Sequence, residues 1–177
     1  MIVPRYRVET SRVPQAGKGL FIDEPTHRGR VIVAPDQVHT VWPEAKLRTY
    51  AEDSIEVESS VRWFEDHFSL TPEWSDECYV NHSFAPSALW HLGFIFALRD
   101  LAPGDEVTMD YRYVIGDGER MPFADSVTGR EIVGLPWPDA LRGSSAQLLA
   151  LLTLLPQAAS RDSAAARTVA ASGFAGS

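Results

Sequence analysis

The sequence predicts one mainly β domain built of short strands, with α+β character added by an insertion and a C-terminal helix. Three observations carry this expectation. Short β-branched and aromatic segments recur between Gly and Pro turns, no βαβ alternation supports a doubly wound sheet, and one apolar stretch of helical character, Leu148 to Leu155, lies late in the chain. At 177 residues and 19.6 kDa the chain can bury one good core and would be cramped as two. Hydrophobic residues make up 45% and charged residues 23%, the balance of an ordinary globular domain.

The elements follow in order. Tyr6-Arg7-Val8-Glu9 and Arg30-Val31-Ile32-Val33 read as strands, with Gly17-Lys18-Gly19 and a Thr26 to Gly29 turn between them. From Pro43 to Trp74 acidic residues (Glu52, Asp53, Glu56, Glu58, Glu65, Asp66) alternate irregularly with Ile55, Val57, Val61, Trp63, Phe64 and Phe68. That stretch is a helix-containing insertion or an irregular acidic lobe, and periodicity does not choose between them. Gly93 to Leu98 is a nearly continuous apolar run that predicts a buried strand. Ala102-Pro103-Gly104-Asp105 predicts a tight turn, and Val107 to Val114 a strand with Val107, Met109 and Tyr111 on one face. Ser144-Ser145 predicts the cap of a helix that stops at Pro156. From about Ala158 the Ala/Ser/Gly/Arg-rich sequence has little to bury, which predicts a disordered tail over 158–177.

Charge and composition exclude several classes. The net charge of −8, from 24 acidic and 16 basic residues with no basic run, predicts no direct nucleic-acid binding and favours a basic partner. With one cysteine, Cys78, neither an intramolecular disulfide nor a cysteine-based structural zinc site can form. His27, His39, His67, His82 and His91 lack ligand-like spacing, so no metal is expected. The first residues carry no apolar signal core, and Leu148 to Leu155 falls short of the roughly 20 residues a bilayer requires. A cytoplasmic protein with no membrane segment is the expectation. His82, Ser83 and Asp110 lack the Gly-x-Ser-x-Gly setting of a hydrolase nucleophile.

Three motifs remain. Gly17-Lys18-Gly19-Leu20-Phe21 puts two glycines ahead of an apolar strand, where a ligand can approach backbone amides. Asn81-His82-Ser83 follows Tyr79-Val80 and precedes Pro86, and Gly104-Asp105-Glu106-Val107-Thr108-Met109-Asp110-Tyr111 ends in an Asp-Tyr pair. Each alone marks a turn, a cap or a core tyrosine more often than a site.

Together, in this order and spacing, they resemble the signature of SET-domain protein-lysine methyltransferases, and Leu92 to Leu101 resembles that family's strand leading into the last motif. The resemblance runs from about Arg5 to Val114. It implies a β-clip SET fold with a knot-like core over 5–114, a variable insertion at about 43–75, and a closure segment at 115–157. It also implies methyl transfer from S-adenosylmethionine to a lysine of a basic or lysine-containing protein. On that resemblance Gly17, Lys18, Gly19, Leu20, Asn81, His82 and Tyr111 contact the cofactor, and Tyr111 is the catalytic residue. Met109, two residues before Tyr111, and Tyr79 line the lysine channel.

Departures from the family pattern are Met109 in place of a frequent Phe or Tyr, Cys78 in place of a frequent Arg, and Ser87 in place of a frequent Asn. Residues 112–177 contain no cysteine, so the zinc-binding closure of many relatives is replaced by apolar packing, with Phe123 and Trp137 the candidate walls. The rival reading is a SET-like interaction module that has lost activity; the presence of Gly17, Gly19, Asn81, His82 and Tyr111 together favours the enzyme.

Overall fold

The computed structural model describes residues 1–36 and 40–155. Strand β1 (Tyr6–Thr10) pairs antiparallel with β2 (Lys18–Ile22), Tyr6 opposite Ile22 and Thr10 opposite Lys18, so Gly17-Lys18-Gly19 lies at the loop end of the hairpin. After β3 (Val31–Val33), the stretch left open by the sequence becomes a small antiparallel sheet with two one-turn helices. Its elements are β4 (Thr40–Pro43), α1 (Glu44–Leu47), α2 (Ile55–Glu58), β5 (Ser60–Phe64) and β6 (His67–Leu70), with β6 in the centre. The strands escaped periodicity because β5 turns a charged residue inward. Arg62 is 1% exposed, donating from its backbone N–H to Val114 (2.6 Å) and from Nη1 to the Leu135 carbonyl (2.9 Å).

Strand β7 (Asn81–His82) is followed by β8 (Ala88–His91) and β9 (Phe94–Ala97), and β3, β9 and β8 form a second antiparallel sheet. β9 occupies the apolar run as expected, but only one face is sealed: Ile95 and Ala97 are buried, while Phe94 is 39% exposed. Strand β10 (Thr108–Met109) pairs parallel with β7, Thr108 beside Asn81 and Met109 beside His82. The strand expected to reach Val114 stops here. The Asp110 carboxylate accepts the Arg112 N–H and starts a 3-10 turn over Tyr111–Tyr113, which takes Tyr111 out of the β alternation.

A hairpin of β11 (Arg120–Ala124) and β12 (Glu131–Val133) leads into α3 (Trp137–Thr153). That helix begins seven residues before the expected Ser144 cap. Pro138 sits in the first turn, where its missing N–H costs no hydrogen bond. Ser144 is instead buried inside the helix, its hydroxyl 2.9 Å from His91 Nδ1. The expected stop at Pro156 and the tail at 158–177 lie outside the described residues. Among the described residues no helix is long and apolar enough to cross a membrane.

Leu20, Ile22, Ile32, Trp90, Ala97, Val107, Met109 and Tyr113 share one core. Each fully buried aliphatic side chain contributes about 1.5–3 kcal/mol. Within this core the mainly β class is realised as several two- and three-stranded sheets rather than one large one.

Candidate active site

Backbone hydrogen bonds bring the three motifs into contact. The β2 strand runs beside residues 104–107: Gly104 N donates to Ile22 O (2.7 Å), Ile22 N to Asp105 O (3.0 Å) and Val107 N to Leu20 O (2.8 Å). Residues 104–107 continue into β10 and so onto β7. Residues from the first, middle and last motifs therefore meet across one short stretch of sheet.

Where they meet, Glu106 and Asn81 are both buried. The Glu106 carboxylate accepts from the Ser11 hydroxyl (2.5 Å), the Arg12 N–H (2.7 Å) and Asn81 Nδ2 (3.2 Å). Asn81 Nδ2 also reaches the Lys18 carbonyl (2.8 Å) and Ser11 Oγ (3.1 Å). With a carboxylate and a carbonyl as acceptors, the nitrogen of the amide must face them, which leaves Oδ1 as the group that takes no hydrogen bond from a described residue. Gly19 lies against this pair so closely that a Cβ there would strike the Glu106 carboxylate. Gly17 has φ +74° and would direct a Cβ into open space.

Two links join the middle motif to Tyr111. The Tyr111 backbone N–H donates to His82 Nδ1 (3.1 Å), and the Tyr111 hydroxyl donates to the Val80 carbonyl (2.9 Å). The two rings lie 5.3 Å apart. Burial drives the Tyr111 phenol strongly upward from its ordinary value, with the neighbouring Cys78 thiol adding to the shift, so the hydroxyl keeps its proton. Burial lowers the His82 pKa, against an upward pull from Asp110 and Asp125, so the ring is neutral at neutral pH. Asp110 forms a two-oxygen ion pair with Arg112, and Gln147 of α3 donates to the Tyr113 hydroxyl (2.7 Å), fixing the turn from outside.

The other predicted residues are distributed around this centre. Met109 is buried in β10 beside His82, and Tyr79 is half-buried at the end of a 3-10 turn with Lys18 Nζ 5.5 Å from its ring centre. Leu20 is wholly in the core, its carbonyl already engaged by Val107. Phe123 is 49% exposed on β11, and Trp137 opens α3 with Arg62 5.8 Å from its ring centre. Sequence reasoning missed Glu106, Ser11, Val80 and Asp125. An acidic residue next to Val107 in an apolar strand was a usable signal for Glu106; Asp125 had none, because its partner is 43 positions away.

A comparison with known protein families matches residues 17–112 to the SET domain, more than half of the chain. The chain belongs to the SET-domain family. A search of curated proteins finds no match. Membership points to methyltransferase-type activity, and proteins of this family usually bind S-adenosylmethionine and act on protein substrates. The SET-domain site has features that fit such a cofactor: an acceptor oxygen on Asn81 suited to an ammonium, and a glycine-lined hairpin end with open space beside Gly17.

Proposed function

We propose that this SET-domain protein transfers methyl groups from S-adenosylmethionine to a lysine side chain of a protein, with Tyr111 at the transfer point. The observation that carries the reading is the 2.9 Å hydrogen bond from the Tyr111 hydroxyl to the Val80 carbonyl, at the junction of the two C-terminal motifs. When bound, the cofactor supplies an electrophilic methyl group on a sulfonium.

The chain's own residues then have four tasks. Gly17, Lys18, Gly19 and Leu20 offer backbone groups, and Asn81 Oδ1 and the His82 backbone complete the hold on the cofactor. Tyr111 remains a neutral phenol, so it orients and does not act as an ionised base. Its oxygen and the Val80 carbonyl are acceptors for the entering amine and for weak CH···O contacts with the methyl group. A lysine with a reference pKa of about 10.4 must shed a proton, which an apolar channel favours by desolvation. Tyr79, Met109, Phe123 and Trp137 are the residues for that channel; Met109, a flexible thioether without a hydroxyl, leaves room for a second and third methyl.

In this reading residues 5–114 are the catalytic domain, about 43–75 its insertion and 115–157 its closure segment. The net charge of −8 suits a basic protein partner, and the cytoplasm is the setting that the absence of paired cysteines favours. The test is transfer of a radiolabelled methyl group from the cofactor into lysate proteins, with mass spectrometry of the labelled band. Label on lysine supports the reading. No cofactor binding by calorimetry and no transfer would instead make the protein an inactive interaction module.

A further inference from the structure

We infer that the β11–β12 hairpin is latched onto the Asn81-His82 segment, and that Asp125 is a positioning residue that holds the His82 imidazole in the orientation Tyr111 requires. Nδ1 of His82 accepts the Tyr111 N–H, so the proton of the neutral imidazole resides on Nε2. That nitrogen is buried and has no hydrogen-bond partner among the described residues. The group facing it is Asp125 Oδ1 at 3.8 Å, with the side chains 4% and 3% exposed.

Asp125 divides its two oxygens between two jobs. Oδ2 accepts Val127 N (3.2 Å), Thr128 N (2.7 Å) and Thr128 Oγ1 (2.8 Å), which shapes the turn of the hairpin. Oδ1 takes none of these bonds and faces the ring. An aspartate that only shaped a surface turn would not need to be sunk against a buried imidazole. A second contact holds the far side of the same turn. Phe84 meets His82 edge-on at 4.6 Å, and the guanidiniums of Arg112 (4.9 Å) and Arg130 (4.3 Å) lie over its ring. Arg130 and Asp125 are themselves joined, Asp125 N donating to Arg130 O at 2.9 Å.

A separation of 3.8 Å exceeds a hydrogen bond, which for N–H···O spans about 2.7–3.2 Å. A hairpin movement of under about one ångström closes it into a charge-assisted bond, the kind that fixes the tautomer and plane of a histidine. The groups that bear on the ring charge are Asp110 and Asp125, which favour protonation, and Arg112 and the Tyr111 N–H on Nδ1, which oppose it; Phe84 and the Tyr111 phenol contribute ring contacts. Protonation at Nδ1 would remove the acceptor of the Tyr111 N–H. The hairpin is thus held against the Asn81-His82 segment by side chains.

The kinetic part of this inference rests on the methyl-transfer reading; the structural part does not. The experiment is nitrogen-resolved NMR of the His82 side chain in the full chain without cofactor, on wild type, Asp125→Asn and Thr128→Val. Asn keeps an oxygen for the turn but turns an N–H₂ toward the imidazole, whereas Thr128→Val disturbs the turn and leaves Oδ1 alone. Expected is an Nε2–H tautomer with a slowly exchanging proton in wild type and Thr128→Val, and a shifted resonance or fast exchange in Asp125→Asn. Turnover of Asp125→Asn should fall about tenfold to a hundredfold with the KM for cofactor little changed, as expected when geometry alone is loosened. Wild-type His82 signals in Asp125→Asn, or equal effects of the two variants, would overturn the latch. A wild type that transfers no methyl group would sink the proposed function, and the imidazole signals would still decide the latch.

Discussion

The Asn81 carboxamide and the Glu106 carboxylate lie 3.2 Å apart directly beneath Gly19. This contact ties the hairpin loop, the middle motif and the last motif into one unit. Glycine is required at position 19 by close approach rather than by an unusual backbone angle.

Gly19→Ala should therefore cost about 1–3 kcal/mol of stability, the usual range for forcing extra volume into a packed site. Combined with Glu106→Ala, the loss should be less than the sum of the two singles, because the carboxylate that the new methyl strikes is gone. Chemical denaturation of the four proteins measures this. Strict additivity would mean that the two residues do not touch in solution.

Tyr111→Phe removes the hydroxyl and leaves the ring between His82 and the core. Methyl transfer should drop about a hundredfold or more, of the order seen when one oriented polar group is lost from a reacting centre. Cofactor affinity by calorimetry should change less than about threefold. Undiminished turnover would exclude the transfer-point role.

Arg62 is the most deeply buried charge on the insertion, with Nε unpartnered among the described residues and Nη1 on the Leu135 carbonyl. Arg62→Ala leaves that carbonyl bare and a void under Trp137, and should cost about 2–5 kcal/mol. Arg62→Met fills the volume without an unpaired charge and should cost clearly less. Urea midpoints would show this; equal losses would indicate that the charge matters and the packing does not.

Stability should fall in two separate steps as pH decreases. His82 and His91 have pKa values lowered by burial, so below about 6.5 the unfolded chain binds protons that the folded chain refuses. More protons on the unfolded state means stability declines as pH drops from about 6.5 toward the folded values. Glu77, Asp105 and Asp125 also have lowered pKa values, but their stabilisation is lost only as pH falls below about 4. Urea midpoints at pH 7.5, 5.5, 4 and 2.5 test the sequence, and His91→Asn should diminish the first step. A midpoint flat from pH 7.5 to 5.5 would show that neither imidazole is buried neutral.

Local rules carried a large part of the fold. The strands at Tyr6, Val31 and Phe94, the turn at Ala102 to Asp105, and a helix near the C-terminus were legible because each follows from short-range periodicity or turn chemistry. The helix start was misplaced because Ser144-Ser145 looks like a cap, while the true start uses Pro138, and a serine buried against His91 leaves no local trace. The insertion sheet was hidden by Arg62, an inward charge that breaks the apolar alternation on which strand reading depends.

From the amino acids alone came the family, the order of its three motifs and the choice of Tyr111 as the residue to watch, since these depend on residue types at fixed spacing. Tertiary structure alone decided that Glu106 secures Asn81, that Val80 offers its carbonyl to Tyr111, and that Asp125 stands against His82. Pairings of the last kind join positions tens of residues apart. Nothing within a short window encodes them, because they arise only when separate strands are packed against one core and their polar groups must find each other out of reach of water.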